Sequence, residues 1–191
     1  MQLSLSTKNP DLPNHKCLAL GIFADEKPPR GIGGFVDWRL NGMISSAMKA
    51  GRISGALEEK VVIPFPARAG TEILFLLGLG DTSSINYDKI YNAAYLVTQT
   101  VDGMGLHSFG FDLYGEGRSN LVTSNIVEAM ITGFFDFLST DIEKLSRMHA
   151  CAVTAPSSLH AFIQGVNQFK TNVNDRGSVD TSSFEESLLG S

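Results

Sequence analysis

The sequence predicts an α/β domain, and three observations carry that expectation. Short apolar runs alternate with longer segments whose apolar residues recur at helical spacing, the pattern of helices covering a sheet. The composition, 43% hydrophobic and 18% charged over 191 residues, suits one compact core; a chain of this size buries roughly 70% of the surface that its unfolded form exposes. The longest apolar stretches, residues 73–79 and 134–138, fall far short of the roughly 20 residues needed to cross a bilayer. No membrane partner is therefore expected.

At the start of the chain, MQLSLSTKNP alternates apolar and polar residues and lacks the positive region and continuous apolar core of a signal peptide. Residues 3–6 are thus predicted to form a first strand, in a protein of cytoplasmic location. Residues 16–23 are nearly all apolar, the mark of a central strand, and the NPDLPN between these two runs is a predicted turn. From 33 to 49, Val36, Leu40, Met43, Ile44 and Ala47 form one helical stripe that leaves Trp38 and Arg39 facing elsewhere. The stretch 61–77 reads as strand, turn and strand, with the turn around Ala69 and Gly70. Pro64 and Pro66 lack an N–H for a ladder, so 61–65 is predicted to be an edge strand.

A second helix is predicted over 87–102, capped by Ser83, Ser84 or Asn86 and burying Ile90, Ala94, Val97 and Val101. Residues 107–113 alternate as a strand, YGEGRSN is a glycine loop, and 121–138 reads as a helix that is apolar nearly all round. Such a helix is either central or an interface. A last strand over 148–154 and a last helix over 157–169, with Leu159, Phe162, Ile163, Val166 and Phe169 on one side, complete a domain of residues 1–170. The composition then turns to Asn, Asp, Ser and Gly, so 171–191 is predicted to be a polar tail in which Phe184 and Leu188 make one contact.

The same sequence argues against several kinds of chemistry. A net charge of −5 gives no general attraction for phosphate backbones or anionic lipid, so nucleic acid is not an expected partner. Cys17 and Cys151 both lie in apolar runs and are expected to be buried thiols rather than a disulfide. The histidines, His15, His107, His149 and His160, are scattered singly, and no HxH, HExxH or CxxC pair marks a metal site. No GxSxG elbow supports a nucleophile. Catalytic residues, metal ligands and cofactors are accordingly expected to be absent.

The glycines are more informative. Open α/β sheets bind ligands beyond the carboxyl ends of their strands, where bare N–H groups and helix N-termini hold anions. Candidate ligand-binding loops are Gly31, Gly33 and Gly34 before the first helix, Gly78, Gly80 and Asp81 before the second, and Gly115, Gly117 and Arg118 before the third. Arg118 adds a bidentate phosphate contact to that set. GIGG is not a full dinucleotide fingerprint, and GEGRSN lacks the lysine of a P-loop. Asp25 and Glu26 follow the second strand directly; beside Lys27 they read either as a cleft pair or, more plainly, as a solvated turn.

Several segments resemble, in order, the N-terminal domain of the leucyl aminopeptidase (cytosol aminopeptidase) family. ALGIFADE resembles that family's second strand and its exit, and GIGGFVDWRLNGMISSAMKAG the helix that follows. VVIPFPARAGTEILFLLGLGD resembles its hairpin, a proline-containing strand before a hydrophobic strand ending in GLG, and VEAMITGFFDFLSTD its long helix. The likeness covers about residues 1–170. It implies a macro-domain-like architecture of three layers, with a mixed central sheet and helices on both faces.

The resemblance also implies where peptidase chemistry is not. In the family, lysine, aspartates and a glutamate hold two metal ions in a separate C-terminal domain that includes a segment resembling NTDAEGR, and no such segment occurs here. The residues after the last helix are too few for another domain, whose size begins near about 50 residues. The expected function is therefore non-catalytic: an interaction, oligomerisation or regulatory module that forms a homo-oligomer or docks on another protein, with the apolar 121–138 helix as its motive. The alternative is a module for a small anionic ligand, a nucleotide or ADP-ribose-like molecule. There the resemblance would give Asp25 the role of the aspartate near adenine, while the asparagine near the ribose has no counterpart. Inherited metal-dependent aminopeptidase activity is the weakest expectation.

Overall fold

The computed structural model describes residues 1–6 and 15–173. The strands are β1 (Gln2–Ser6), β2 (Cys17–Ile22), β3 (Lys60–Pro64), β4 (Ile73–Gly78), β5 (Ser108–Phe111) and β6 (His149–Val153). They form one sheet in the order β1-β6-β5-β2-β4-β3, parallel throughout except for β3, which runs antiparallel to β4 along one edge. The proline-bearing strand thus lies at an edge, as the missing N–H of Pro64 requires. The apolar β2 lies between β5 and β4 with every residue buried.

Two apolar layers sandwich the sheet. On one face α1 (Gly31–Arg39) and α2 (Met43–Lys49) bring Val36, Ile44 and Met48 onto Leu18, Leu20, Leu74 and Leu76. On the other, α3 (Tyr87–Gly103), α4 (Thr123–Leu138) and α6 (Leu159–Val173) pack on Ala19, Phe75, Phe109, Phe111 and Ala150. The alternation along β2 divides its side chains between the two layers, as period-2 geometry dictates. The short α5 (Ile142–Arg147), which periodicity did not reveal, is capped by Asp141, whose carboxylate accepts from Glu143 N at 2.9 Å.

The structure corrects two sequence expectations and, for the apolar helix read as either central or an interface, bears out the central one. The predicted 33–49 helix is two helices, because Asn41 and Gly42 adopt φ of 56° and 74° and the buried Asp37 carboxylate instead accepts from Ile44 N at 2.7 Å and Ser45 N at 3.0 Å. The break moves Met43 out of the buried stripe to 38% exposure and puts Met48 in it. Helix α4 has no free apolar side: Ile126, Met130, Ile131, Phe134 and Phe135 are buried within this one chain, and α3, α6 and the sheet cover them. The second correction is that α6 runs on to Val173, past the predicted boundary at 170. The predicted turn at 9–14 and the contact of Phe184 and Leu188 lie outside the described residues.

Cys17 and Cys151 are free and buried. Cys17 aligns with Phe109, which aligns with Ala150 on β6; Cys151, one residue on, faces the opposite side with β5 between them. Burial pushes the Cys17 thiol up to about 12 and raises that of Cys151 as well.

Candidate cleft at the carboxyl ends of the parallel strands

Parallel strands bring their carboxyl ends to one edge of the sheet, and the segments leaving β2, β4 and β5 there enclose a cleft of about 640 Å³. The exit from β2 supplies Asp25, Glu26 and, before α1, Arg30. The exit from β4 supplies Thr82, Ser83 and Ile85, and that from β5 the run 117–121. The lining is thus mostly polar.

Asp25 stands exposed at the rim and ties two of these segments together. Its carboxylate accepts from the Thr82 hydroxyl at 2.6 Å and from the Thr82 amide at 3.0 Å. Those bonds hold its carboxyl below the usual carboxylate range, the hydroxyl contributing most. Beneath the rim Glu26 is no solvated turn residue: its side chain is 8% exposed and meets Arg118 Nη1 at 3.3 Å. Arg118 Nη2 reaches Asp112 at 3.5 Å, and the guanidinium carbon lies 5.0 Å from the centre of the Phe23 ring.

This cluster sets one cation between two carboxylates in a dry setting. Asp112 is the deepest member, and burial pushes its carboxyl up to about 6 although Arg118 and the Gly21 amide, donating at 2.9 Å, both favour the ionised form. Tyr114, fully buried beside it, is raised well above its ordinary value by the same desolvation. Arg118 keeps one donor in reserve, since its buried Nε–H has no partner. An unsatisfied donor of this kind costs about 1–3 kcal/mol, a cost that an acceptor from outside would remove.

Of the residues singled out in the sequence, Asp25, Gly117 and Arg118 line the cleft. Gly115 lies under it against Ser119 and Phe23, and Gly31 opens α1 next to Arg30. Gly33 and Gly34 are within α1, where a Cβ at Gly34 would meet the Pro29 carbonyl oxygen at 2.6 Å. Gly78 ends β4 so tightly against the Ala56 carbonyl that no side chain fits. Gly80, at φ 74°, lies where an added Cβ would meet Leu57 at 3.6 Å, and Asp81 is exposed outside the lining and accepts from Ser84 through its backbone. Sequence reasoning missed Arg30, Thr82, Ser83, Ser119, Asn120 and the underlying Asp112. The 92-residue separation of Glu26 from Arg118 explains why the ion pair could not be foreseen. Among the described residues, no group of three or more His, Cys, Asp or Glu side chains is placed to hold a metal ion.

Comparison with solved structures identifies the fold. The chain is similar to an Oceanobacillus iheyensis macrodomain with ADP, at 9% identity and a TM-score of 0.71, covering 89% of this chain and 92% of that one. A Trypanosoma brucei macrodomain in complex with ADP-ribose matches at 11% identity and TM-score 0.69, over 86% of this chain and 68% of the other. A tomato leucine aminopeptidase mutant matches at 15% identity and TM-score 0.58; the match covers 87% of this chain, which spans 35% of the length of that enzyme. The three-layer, macro-domain-like α/β architecture is therefore established. Residues 19–140 match the model of the cytosol aminopeptidase family's N-terminal domain, and on that match the chain belongs to the cytosol aminopeptidase family, of which it carries the N-terminal domain.

Proposed function

We propose that this domain is a non-catalytic binding module whose cleft takes a small phosphate-bearing ligand of the ADP-ribose type. The observation that carries this reading is Arg118, which lines the polar cleft while its Nε–H, closed to solvent in this state, has no acceptor. A small shift of the guanidinium towards a bound phosphate would give that donor a charge-assisted hydrogen bond. Around it, the backbone of residues 117–121 can meet further phosphate oxygens, and the carboxylates of Asp25 and Glu26 can accept from ribose hydroxyls. Two structural neighbours bear ADP or ADP-ribose, which supports the ligand class by analogy of fold. Calorimetry on the full chain should show heat with ADP-ribose and ADP and much less with adenosine. The Arg118 Nε–H resonance should shift on binding. Absence of heat with both diphosphates would remove the reading.

Docking on a partner or on a second copy is a second reading, but α4 no longer motivates it because its apolar residues are covered in the monomer. What supports it is apolar surface elsewhere: Trp38 and Phe65 remain 73% and 80% exposed. Light scattering that finds a monomer at high concentration would count against self-association. The inherited aminopeptidase reading predicts turnover of leucine p-nitroanilide with added Mn²⁺ or Zn²⁺; we expect none above blank.

A further inference from the structure

The buried cluster at the floor of the cleft carries more cost than a neutral site. Arg118 is already shared between Glu26 at 3.3 Å and Asp112 at 3.5 Å, so the cluster holds one cation against two carboxylates, all with side chains 8% exposed or less. An anion held in the cleft against Arg118 adds negative charge next to carboxylates that solvent cannot screen. From the ordering of these groups, and resting on the ligand reading above, we infer that the cleft binds its anionic ligand together with a proton taken up by the buried Asp112.

The surroundings of Asp112 favour it as the acceptor. From its own loop it faces Arg118, which favours the charged form, and Glu116, which opposes it; from β2 it faces only the Gly21 amide among donors. Tyr114 and the Cys17 thiol lie on the same side, and burial keeps both in their neutral forms, so neither adds a negative charge. Glu26 reaches the cluster through Arg118 alone. When the ligand draws on the Arg118 field, the fully buried Asp112, whose carboxyl already titrates at about 6, loses the interaction that offsets its desolvation. Its proton affinity rises in the complex, and by linkage the ligand's affinity rises as pH falls. The pyrophosphate of ADP-ribose keeps its charge across this range, so the proton must land on the protein.

The test is calorimetry of the full chain with ADP-ribose from pH 5.5 to 8.5, repeated in two buffers of different ionisation enthalpy. We expect uptake of a fraction of one proton near pH 7, and an affinity that falls by up to about tenfold per pH unit above pH 6. Adenosine, which has no phosphate, should bind without uptake. D112N, which keeps an acceptor for the Gly21 amide, should bind at pH 8 as tightly as the parent does near pH 6, with a flat profile. The buffer comparison on the parent chain stands even if that variant does not fold. ADP-ribose binding with no uptake and no pH dependence would overturn the inference and leave the ligand reading intact, whereas no ADP-ribose binding at any pH overturns both.

Discussion

At the scale of single residues, half-buried and buried titratable groups set opposing pH dependences. His15 and His149 meet edge to face at 5.4 Å between ring centres, and His149 Nε2 lies 2.7 Å from Ser4 Oγ. Burial lowers the pKa of both, and His149 lowers that of His15 further. The folded state therefore prefers them neutral, while the unfolded chain protonates near 6.5. Their contribution is complete above that value and is lost as pH falls through it, because the unfolded state binds protons first. Asp112 has the opposite sign. Its carboxyl, raised to about 6, makes the folded state bind the proton first, so stability from this group grows as pH falls from about 6 towards 4. Urea denaturation between pH 4.5 and 7.5 should show H149Q with less acid loss than the parent and D112N without the Asp112 gain. Identical profiles for all three chains would refute the assignment.

At the scale of elements, close backbone approaches fix where helices and strands can lie. Gly133 of α4 sits against the Tyr91 carbonyl of α3, and Gly165 of α6 against the Ser124 carbonyl of α4. Replacing a helical glycine by alanine ordinarily gains up to about 1 kcal/mol. Here the added methyl strikes backbone, so G133A and G165A should lower the melting temperature, by about 1–3 kcal/mol of stability as overpacked sites do. Gly103, exposed at the end of α3 with nothing within 4 Å of its would-be Cβ, is the control. G103A should be neutral or stabilising. A common sign for all three would show that propensity, not packing, governs these positions. Helix α3 was legible: Asn86 caps it by accepting from Lys89 N at 2.9 Å, as its residue type suggested, and Ile90, Ala94, Val97 and Val101 are fully buried. The split of α1 from α2 was hidden because Asp37 reads as one polar residue among others until its carboxylate is seen to accept from Ile44 and Ser45.

At the scale of the whole molecule, the role of α4 separates a core from an interface. Phe134 is fully buried and packs edge to face on Phe111 at 4.9 Å and Phe109 at 5.4 Å between ring centres. F134A should cost about 3–5 kcal/mol and unfold the monomer cooperatively at lower temperature. An interface helix would instead leave thermal stability near the parent value and shift only the oligomeric state. The sequence by itself determined the layered α/β architecture, the edge position of β3 and the family, because periodicity, proline placement and the order of local patterns are written along the chain. It also marked Asp25, Gly117 and Arg118. Only the tertiary structure decided that α4 is core, that Glu26 is buried, and that Arg118 holds one donor free above Asp112. Those facts depend on which segments meet across the carboxyl edge of the sheet, and a partner about ninety residues away leaves no mark on local composition.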